Sequence, residues 1–336
     1  MNINIKNDTE VYVLCPAYVK TGGTELLHQL VNELNKNRIE SHITYFGINN
    51  ENKEFTPPDF KKYISSYKTL NDLKDSENNI IITPEIVPAL NHTKKFKNAK
   101  KIMWWMSVDN FTRDCGIINT IKTHGIINTF ILMITGKMIY NLSYVKQMQG
   151  HLCQSKYSME YLAKNDIINS AYLSDYISDE YLKITENLEN KEDIILYNPK
   201  KGFDFAKKII EKSPHLNFVP IENLTTIQVK ELLLKSKVYI DFGNHPGKDR
   251  IPREAAMCGC CIITNKKGSA KYYDDVPIND EFKFEDKEEN IENIIEKITI
   301  CINNYESEII KFENYKQFIK HEKEQFKNDV KKTFLK

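Results

Sequence analysis

The chain has 336 residues, 41% hydrophobic and 28% charged, the composition of a globular protein with about two domains. Its 47 Lys+Arg against 46 Asp+Glu leave a net charge of +1, so nothing in the overall charge argues for a nucleic-acid partner. Seven cysteines, odd in number and irregular in spacing, argue against a disulfide framework. Cys258, Cys260 and Cys261 lie too close together for an ordinary zinc site and read as small buried hydrophobes of a reducing compartment. The start, MNINIKNDTEVYV, has no apolar core of signal-peptide length, and no run reaches the ~18 consecutive apolar residues of a membrane span, so a cytoplasmic chain is expected.

Val11–Cys15 reads as a buried strand, residues 17–23 as a loop, and Thr24–Asn35 as a helix with apolar positions 26, 27, 30, 31 and 34 on one face. Ser41–Gly47 is a second strand, which completes a βαβ unit and implies a parallel sheet. Strands follow at Ile80–Thr83 and Lys101–Met106, then an apolar helical stretch over 117–142, then strand Leu152–Ser155 and a helix. A second series opens at Asp193 (DIILYNP). It continues through helix Phe203–Lys212, strand Leu216–Pro220, helix Thr226–Ser236 and strand Val238–Phe242. Helix Pro252–Cys258, strand Cys260–Thr264 and helices Asp286–Asn303 and Phe312–Phe334 complete it. The pattern predicts an N-terminal Rossmann-like domain over 1–168 and a linker over 169–190. A C-terminal Rossmann-like domain over 191–310 and a closing helix over 311–336 follow.

Open parallel sheets bind ligands outside the carboxyl ends of their strands. After the first strand come Gly22, Gly23 and Thr24, either a tight turn or a ligand loop leading into a helix N-terminus. Lys200-Lys201-Gly202 follow DIILY, where a lysine can serve phosphate or simply be solvated. The segment GNHPGKDRIPREAAMCGCCIIT is denser: His245, Lys248, Asp249, Arg250, Arg253 and Glu254 precede a buried strand. Pro252 is expected to open a helix with Arg253 and Glu254 in its first turn, and Gly268, Ser269 and Ala270 form another loop. Lysines and helix N-termini at three strand ends suit a nucleotide diphosphate, with Glu254 accepting from ribose hydroxyls or acting only as a cap. Asp109, closing Trp104-Trp105-Met106-Ser107-Val108, is a candidate base or a turn cap, and Glu85 is a second candidate beside an acceptor.

Here the sequence resembles the GT-B-fold glycosyltransferases, close in pattern to their large retaining family 4 group. Gly22-Gly23-Thr24-Glu25 resembles that group's first loop and Lys201-Gly202 its lysine–glycine pair. Arg253-Glu254-Ala255-Ala256-Met257-Cys258-Gly259-Cys260-Cys261-Ile262-Ile263 resembles the latter half of its Glu-x7-Glu pattern, and Gly268-Ser269-Ala270 its glycine-rich loop. The first glutamate of that pattern is missing, because Pro246 stands there beside His245.

The resemblance implies two Rossmann-like α/β domains facing each other across a cleft, with the C-terminal helix packing back on the first. It implies transfer of a sugar from a nucleotide-sugar to a glycan or lipid-linked acceptor in surface polysaccharide or glycolipid synthesis. Asp109 and His245 would be catalytic. Lys201, Lys248, Arg250, Arg253, Glu254, Gly268, Ser269 and Ala270 would be on the donor side, and Gly22, Gly23, Thr24 and Glu85 on the acceptor side. No cofactor and no metal are expected, and no nucleic-acid partner. Two alternatives stay open: a nucleotide-sugar epimerase or phosphorylase of the same fold, and, because the first glutamate is missing, a non-catalytic binder of nucleotide-sugar or glycan. Residues 126–142, apolar on several sides between Lys122 and Lys137, together with outward lysines on the last helix, suggest salt-sensitive peripheral contact with an anionic plasma membrane.

Overall fold

The computed structural model describes the chain apart from positions 2, 51, 140, 185–189 and 336. Two compact units emerge, Met1–Asp175 with Glu324–Lys336, and Tyr176–Lys323. The first is built on strands β1 (Val11–Pro16), β2 (Ser41–Phe46), β3 (Tyr67–Thr69), β4 (Ile80–Pro84), β5 (Lys100–Trp105), β6 (Gly150–Cys153) and β7 (Ser170–Tyr172). They pair in parallel in the order β3-β2-β1-β4-β5-β6-β7. β4 (IIITP) is buried throughout and β1 nearly so, as expected of parallel strands covered on both faces. The order reverses at β1, so the gap between β1 and β4 is this sheet's switch point.

The second unit carries β8 (Glu192–Tyr197), β9 (Asn217–Pro220), β10 (Ser236–Asp241), β11 (Cys261–Asn265) and β12 (Lys283–Phe284). They are again all parallel, in the order β12-β11-β10-β8-β9, which puts the switch point between β8 and β10. The expected doubly wound α/β series in each half is therefore present.

Several boundaries differ. The stretch 169–190, read as a linker, begins with β7, an edge strand of the first sheet, and the part of it over 185–189 lies outside the described residues. The second unit closes at Lys323, within the final helix Glu313–Phe334, and not at 310. The apolar positions of that helix are buried: Phe312 (just before it), Tyr315 and Ile319 in the second unit, Phe326, Val330 and Phe334 in the first. Within the first unit the backbone N–H of Ser174 donates to Asp329 Oδ2 (3.1 Å) and that of Ile3 to the Thr333 carbonyl (3.0 Å), so the chain's end is tied to this unit. The lysines on this helix do not all point outward, since Lys316 is buried. Helix Arg250–Met257 starts two residues before Pro252, which sits at its third position, where a missing N–H costs nothing. Glu254 consequently lies past the first turn.

Candidate functional site

At the second sheet's switch point the loops after β8 and β10 meet backbone to backbone. Gly202 adopts φ +64° at the N-cap of helix Phe203–Lys212, and a Cβ there would collide with the Phe242 carbonyl just beyond β10. Gly268 repeats the device with φ +51° against the carbonyls of Asn244 and His245. The Ser269 N–H donates to His245 O (2.8 Å) and its hydroxyl to Gly247 O (2.6 Å). Ser269 and Ala270 are buried, so they clamp the His245–Gly247 turn and do not face solvent.

The turn holds a chain of charges. Asp241, the last residue of β10, accepts from the Tyr239 hydroxyl (3.0 Å) and the Gly243 N–H (3.0 Å). His245, at φ +47°, places Nε2 3.2 Å from Asp241 O and Nδ1 3.2 Å from Asp249 Oδ2. Asp249 Oδ1 lies 2.6 Å from Lys201 Nζ. Burial opposes a charge on His245, but the carboxylates of Asp241 and Asp249 outweigh it and raise the imidazole's pKa above its ordinary value. Burial likewise pushes Asp249 up, and its bonds to His245 and Lys201 overcome this and hold it ionised. Lys201, with its side chain 37% exposed, is the member of this network open to an incoming anion. Asp241, His245 and Asp249 are close enough to share a cation, and Lys201 Nζ already lies 2.6 Å from Asp249 Oδ1.

Lys248 and Arg253, expected at the donor, are held internally. Lys248 Nζ lies 2.6 Å from Glu322 Oε1, and Arg253 Nη1 donates to Glu322 Oε2 at 2.8 Å, with all three side chains buried. Arg253 also donates through Nη2 to Lys248 O (2.8 Å) and through Nε to Asp249 O (3.2 Å). This triad fixes the start of helix Arg250–Met257 against the last helix, with both cations buried against Glu322. Arg250, half-buried, donates to Tyr176 O (3.3 Å). Glu254 is half-buried, and its charge is felt at the Tyr181 and Tyr239 hydroxyls. Sequence reasoning did not find Asp241, Asp249 as the link to Lys201, or Glu322. The spacing of Asp241, His245 and Asp249 at four-residue intervals was the available signal for the first two.

In the first unit, helix Gly22–Lys36 opens one turn past β1, capped by Thr21 and Thr24 in a reciprocal box: the Thr24 N–H donates to Thr21 Oγ1 (3.2 Å) and the Thr21 N–H to Thr24 Oγ1 (2.9 Å). The Thr24 side chain thus serves the helix end, and Gly22 and Gly23 form its first turn. Glu85 follows β4 at the same switch point and is fully buried, accepting from the Met106 N–H (3.2 Å). Burial pushes its carboxyl up to about 7, against the opposing pull of the Met106 and Ser107 N–H groups and Asn110. Asp109 lies in the first turn of helix Val108–Asp114 and accepts from the Tyr157 hydroxyl at Oδ1 (3.0 Å). It is half-buried, whereas Glu85 lies beneath the loop surface.

The Glu85 carboxyl carries a stability prediction. The folded state keeps a proton that the unfolded chain releases near 4.5, so stability falls as pH rises from there to about 7 and is level above it. Glu85→Gln should therefore stabilise the protein at pH 8 by roughly 3 kcal/mol and leave it unchanged at pH 4. Urea denaturation at the two pH values checks this, and an equal gain at both would refute it.

No protein-family model matches the chain, and neither does any curated protein sequence. Solved structures do match in fold. HepE from Anabaena, in complex with UDP-glucose, superposes at TM-score 0.60 with 10% identity over 96% of this chain and 98% of that one. An alpha-glucosyltransferase in complex with UDP gives TM-score 0.56 and 11% identity, over 96% and 99%. A TarM variant from S. aureus, in complex with fondaparinux, alpha-GlcNAc-glycerol and UDP, gives TM-score 0.54 and 14% identity. That match covers 77% of this chain, which spans only 55% of TarM. At these identities the likeness establishes the fold, the GT-B type with two Rossmann-like units.

Proposed function

We propose that the chain is a metal-independent glycosyltransferase that moves a sugar from a nucleoside diphosphate-sugar to a glycan or lipid-linked acceptor, with no cofactor besides the donor. The observation that carries this reading is Lys201 at the switch point of the second sheet, oriented by the Asp249–His245–Asp241 network. The diphosphate would compete with Asp249 for the ammonium and meet the N-terminal end of helix Arg250–Met257, where backbone N–H groups favour an anion. Glu254 would accept from the ribose hydroxyls, as the family 4-like stretch around it suggests. In the transfer the acceptor oxygen gives its proton to a base and bonds to the anomeric carbon; Asp109 is the carboxylate we propose for that proton. The anomeric carbon's bond to the diphosphate breaks, and the charge left on the nucleoside diphosphate would be stabilised by Lys201, which His245 helps to orient through Asp249. UDP or UDP-glucose bound to proteins of like fold supports a uridine nucleotide as the first donor to try.

Incubation with a panel of nucleotide-sugars should release free nucleoside diphosphate slowly without an acceptor. An isomerised donor would favour the epimerase reading, and binding without release the non-catalytic one. By calorimetry, Glu254→Gln should weaken nucleotide-sugar binding by roughly 1.5–3 kcal/mol, the worth of a hydrogen bond to a charged group. Lys201→Ala should lose affinity for the diphosphate and not for the free nucleoside. Equal losses for both would return Lys201 to a structural role.

A further inference from the structure

Helix Ile117–Ile134 is inside out. Its fully buried side chains are Thr120 and Thr129, whose hydroxyls donate to the Gly116 and Gly125 carbonyls (2.8 and 2.7 Å). Its large apolar side chains face solvent: Ile117, Ile118, Ile126, Ile127, Phe130, Ile131 and Ile134 are 45–77% exposed. Over Ile126–Ile134 they recur at i, i+4 and i, i+1, one continuous apolar face. Monomeric proteins seldom leave such a patch uncovered.

Among the described residues this is the one helix long and apolar enough to cross a membrane, although Lys122 and the asparagines keep it from being an unbroken apolar run. Its geometry forbids a crossing. Gly125, at φ 78° and ψ 167°, breaks it into two short pieces. Cys115 and Ile139 form a β-bridge, closed by the Gly116 N–H to the Ile139 carbonyl (2.8 Å), so the segment leaves and returns at one point. Asn119 Nδ2 donates to Thr112 O (2.9 Å) and Thr123 Oγ1 to Arg113 O (3.1 Å), which fastens the first piece to the preceding helix.

Positive charge dominates around this hairpin; the carboxylate beside it, Asp114, is taken up by Arg113 (3.0 Å) and lies 3.2 Å from His124 Nε2. From Cys115 to Met159 the sequence has no carboxylate and four lysines, Lys122, Lys137, Lys146 and Lys156. Lys122 and Lys137 are exposed at the hairpin's bend and return, and Lys94, exposed, donates to the Gly136 carbonyl (3.0 Å). An apolar face rimmed by lysines fits a bilayer with anionic headgroups: the isoleucines and Phe130 enter the acyl boundary while the lysines meet phosphates. A second copy of the chain would set these lysines against the same lysines. We infer that the hairpin 117–138 is an in-plane anchor that seats the first unit on an anionic lipid surface. Placed there, a transferase would meet an acceptor carried by lipid, and the anchor itself stands whether or not the nucleotide-sugar reading does.

The test is co-sedimentation of the full chain with vesicles of equimolar phosphatidylglycerol and phosphatidylcholine, beside vesicles of phosphatidylcholine alone. Binding to the anionic vesicles is expected, weakened by salt, and the double variant Ile127→Glu/Phe130→Glu should lose at least about tenfold in partitioning. Both positions are exposed and lie in the first unit, so the variant should keep the parent's circular dichroism and any nucleotide affinity of the donor cluster proposed in the second unit. A second measurement uses Phe130→Trp, whose emission should shift to the blue on anionic vesicles, against native Trp104 and Trp105 that are already fully buried. No binding to anionic vesicles at low salt, equal binding to neutral ones, or a dimer that the double variant dissociates without any vesicle binding would each overturn the assignment.

Discussion

Glu322→Gln should destabilise the second unit by about 3–5 kcal/mol, the cost of leaving buried cations without their counter-ion. Glu322 is the carboxylate against which both Lys248 Nζ and Arg253 Nη1 are held, and all three are buried. The amide keeps the shape of the side chain and removes its charge, so the loss reports electrostatics more than packing. Both tryptophans lie in the first unit, which separates the signals. In urea, the far-ultraviolet dichroism should begin to fall at lower denaturant than in the parent and ahead of the tryptophan emission. An unchanged dichroism transition would mean that the triad contributes nothing to stability. On the proposed function, a variant kept at temperatures where it remains folded should retain its affinity for a nucleoside diphosphate, because Lys201 is exposed whereas Lys248 and Arg253 are buried against Glu322. A folded variant that fails to bind would restore those two residues to the donor site.

Asp109→Asn should lower turnover by roughly 10²–10⁴-fold, the range for removing a general base, with donor affinity nearly unchanged. The substitution preserves size and can still accept from the Tyr157 hydroxyl, so the helix start should survive. Tyr157→Phe provides the graded companion: it leaves the carboxylate but removes the bond that aims it, and a smaller fall in kcat is expected. Full activity in Asp109→Asn would assign the residue to the helix terminus alone.

The central strands were legible because their chemistry is monotonous. Ile80–Pro84 and Cys261–Asn265 are buried at every position, and a continuous apolar run is what a covered parallel strand requires. The edge strands Tyr67–Thr69, Ser170–Tyr172 and Lys283–Phe284 were not, since three or two residues, mostly half-buried, leave no periodic signature. The charged segment 245–254 was recognisable as a strand-end cluster, but its division into ligand-facing and internal groups was not. Lys248 and Arg253 find their partner 69 or more positions later, at Glu322, and nothing local marks the pair. For the apolar helix 117–134 it was the direction of the apolar side that local sequence did not specify. Periodicity identifies an apolar face and says nothing of which way it points, and here the threonines face inward.

The close approach at Gly202 and Gly268 has a kinetic consequence. Three loops that would each wander if they ended in ordinary side chains are locked to one another by contacts between main chains. The ordering of these loops is therefore accomplished when the unit folds, and an arriving anion finds its surroundings already in register. Association at this surface should be a single concentration-dependent phase with no slow rearrangement after it. Selectivity among nucleotides would then rest on shape present beforehand and not on a loop that closes around the correct one.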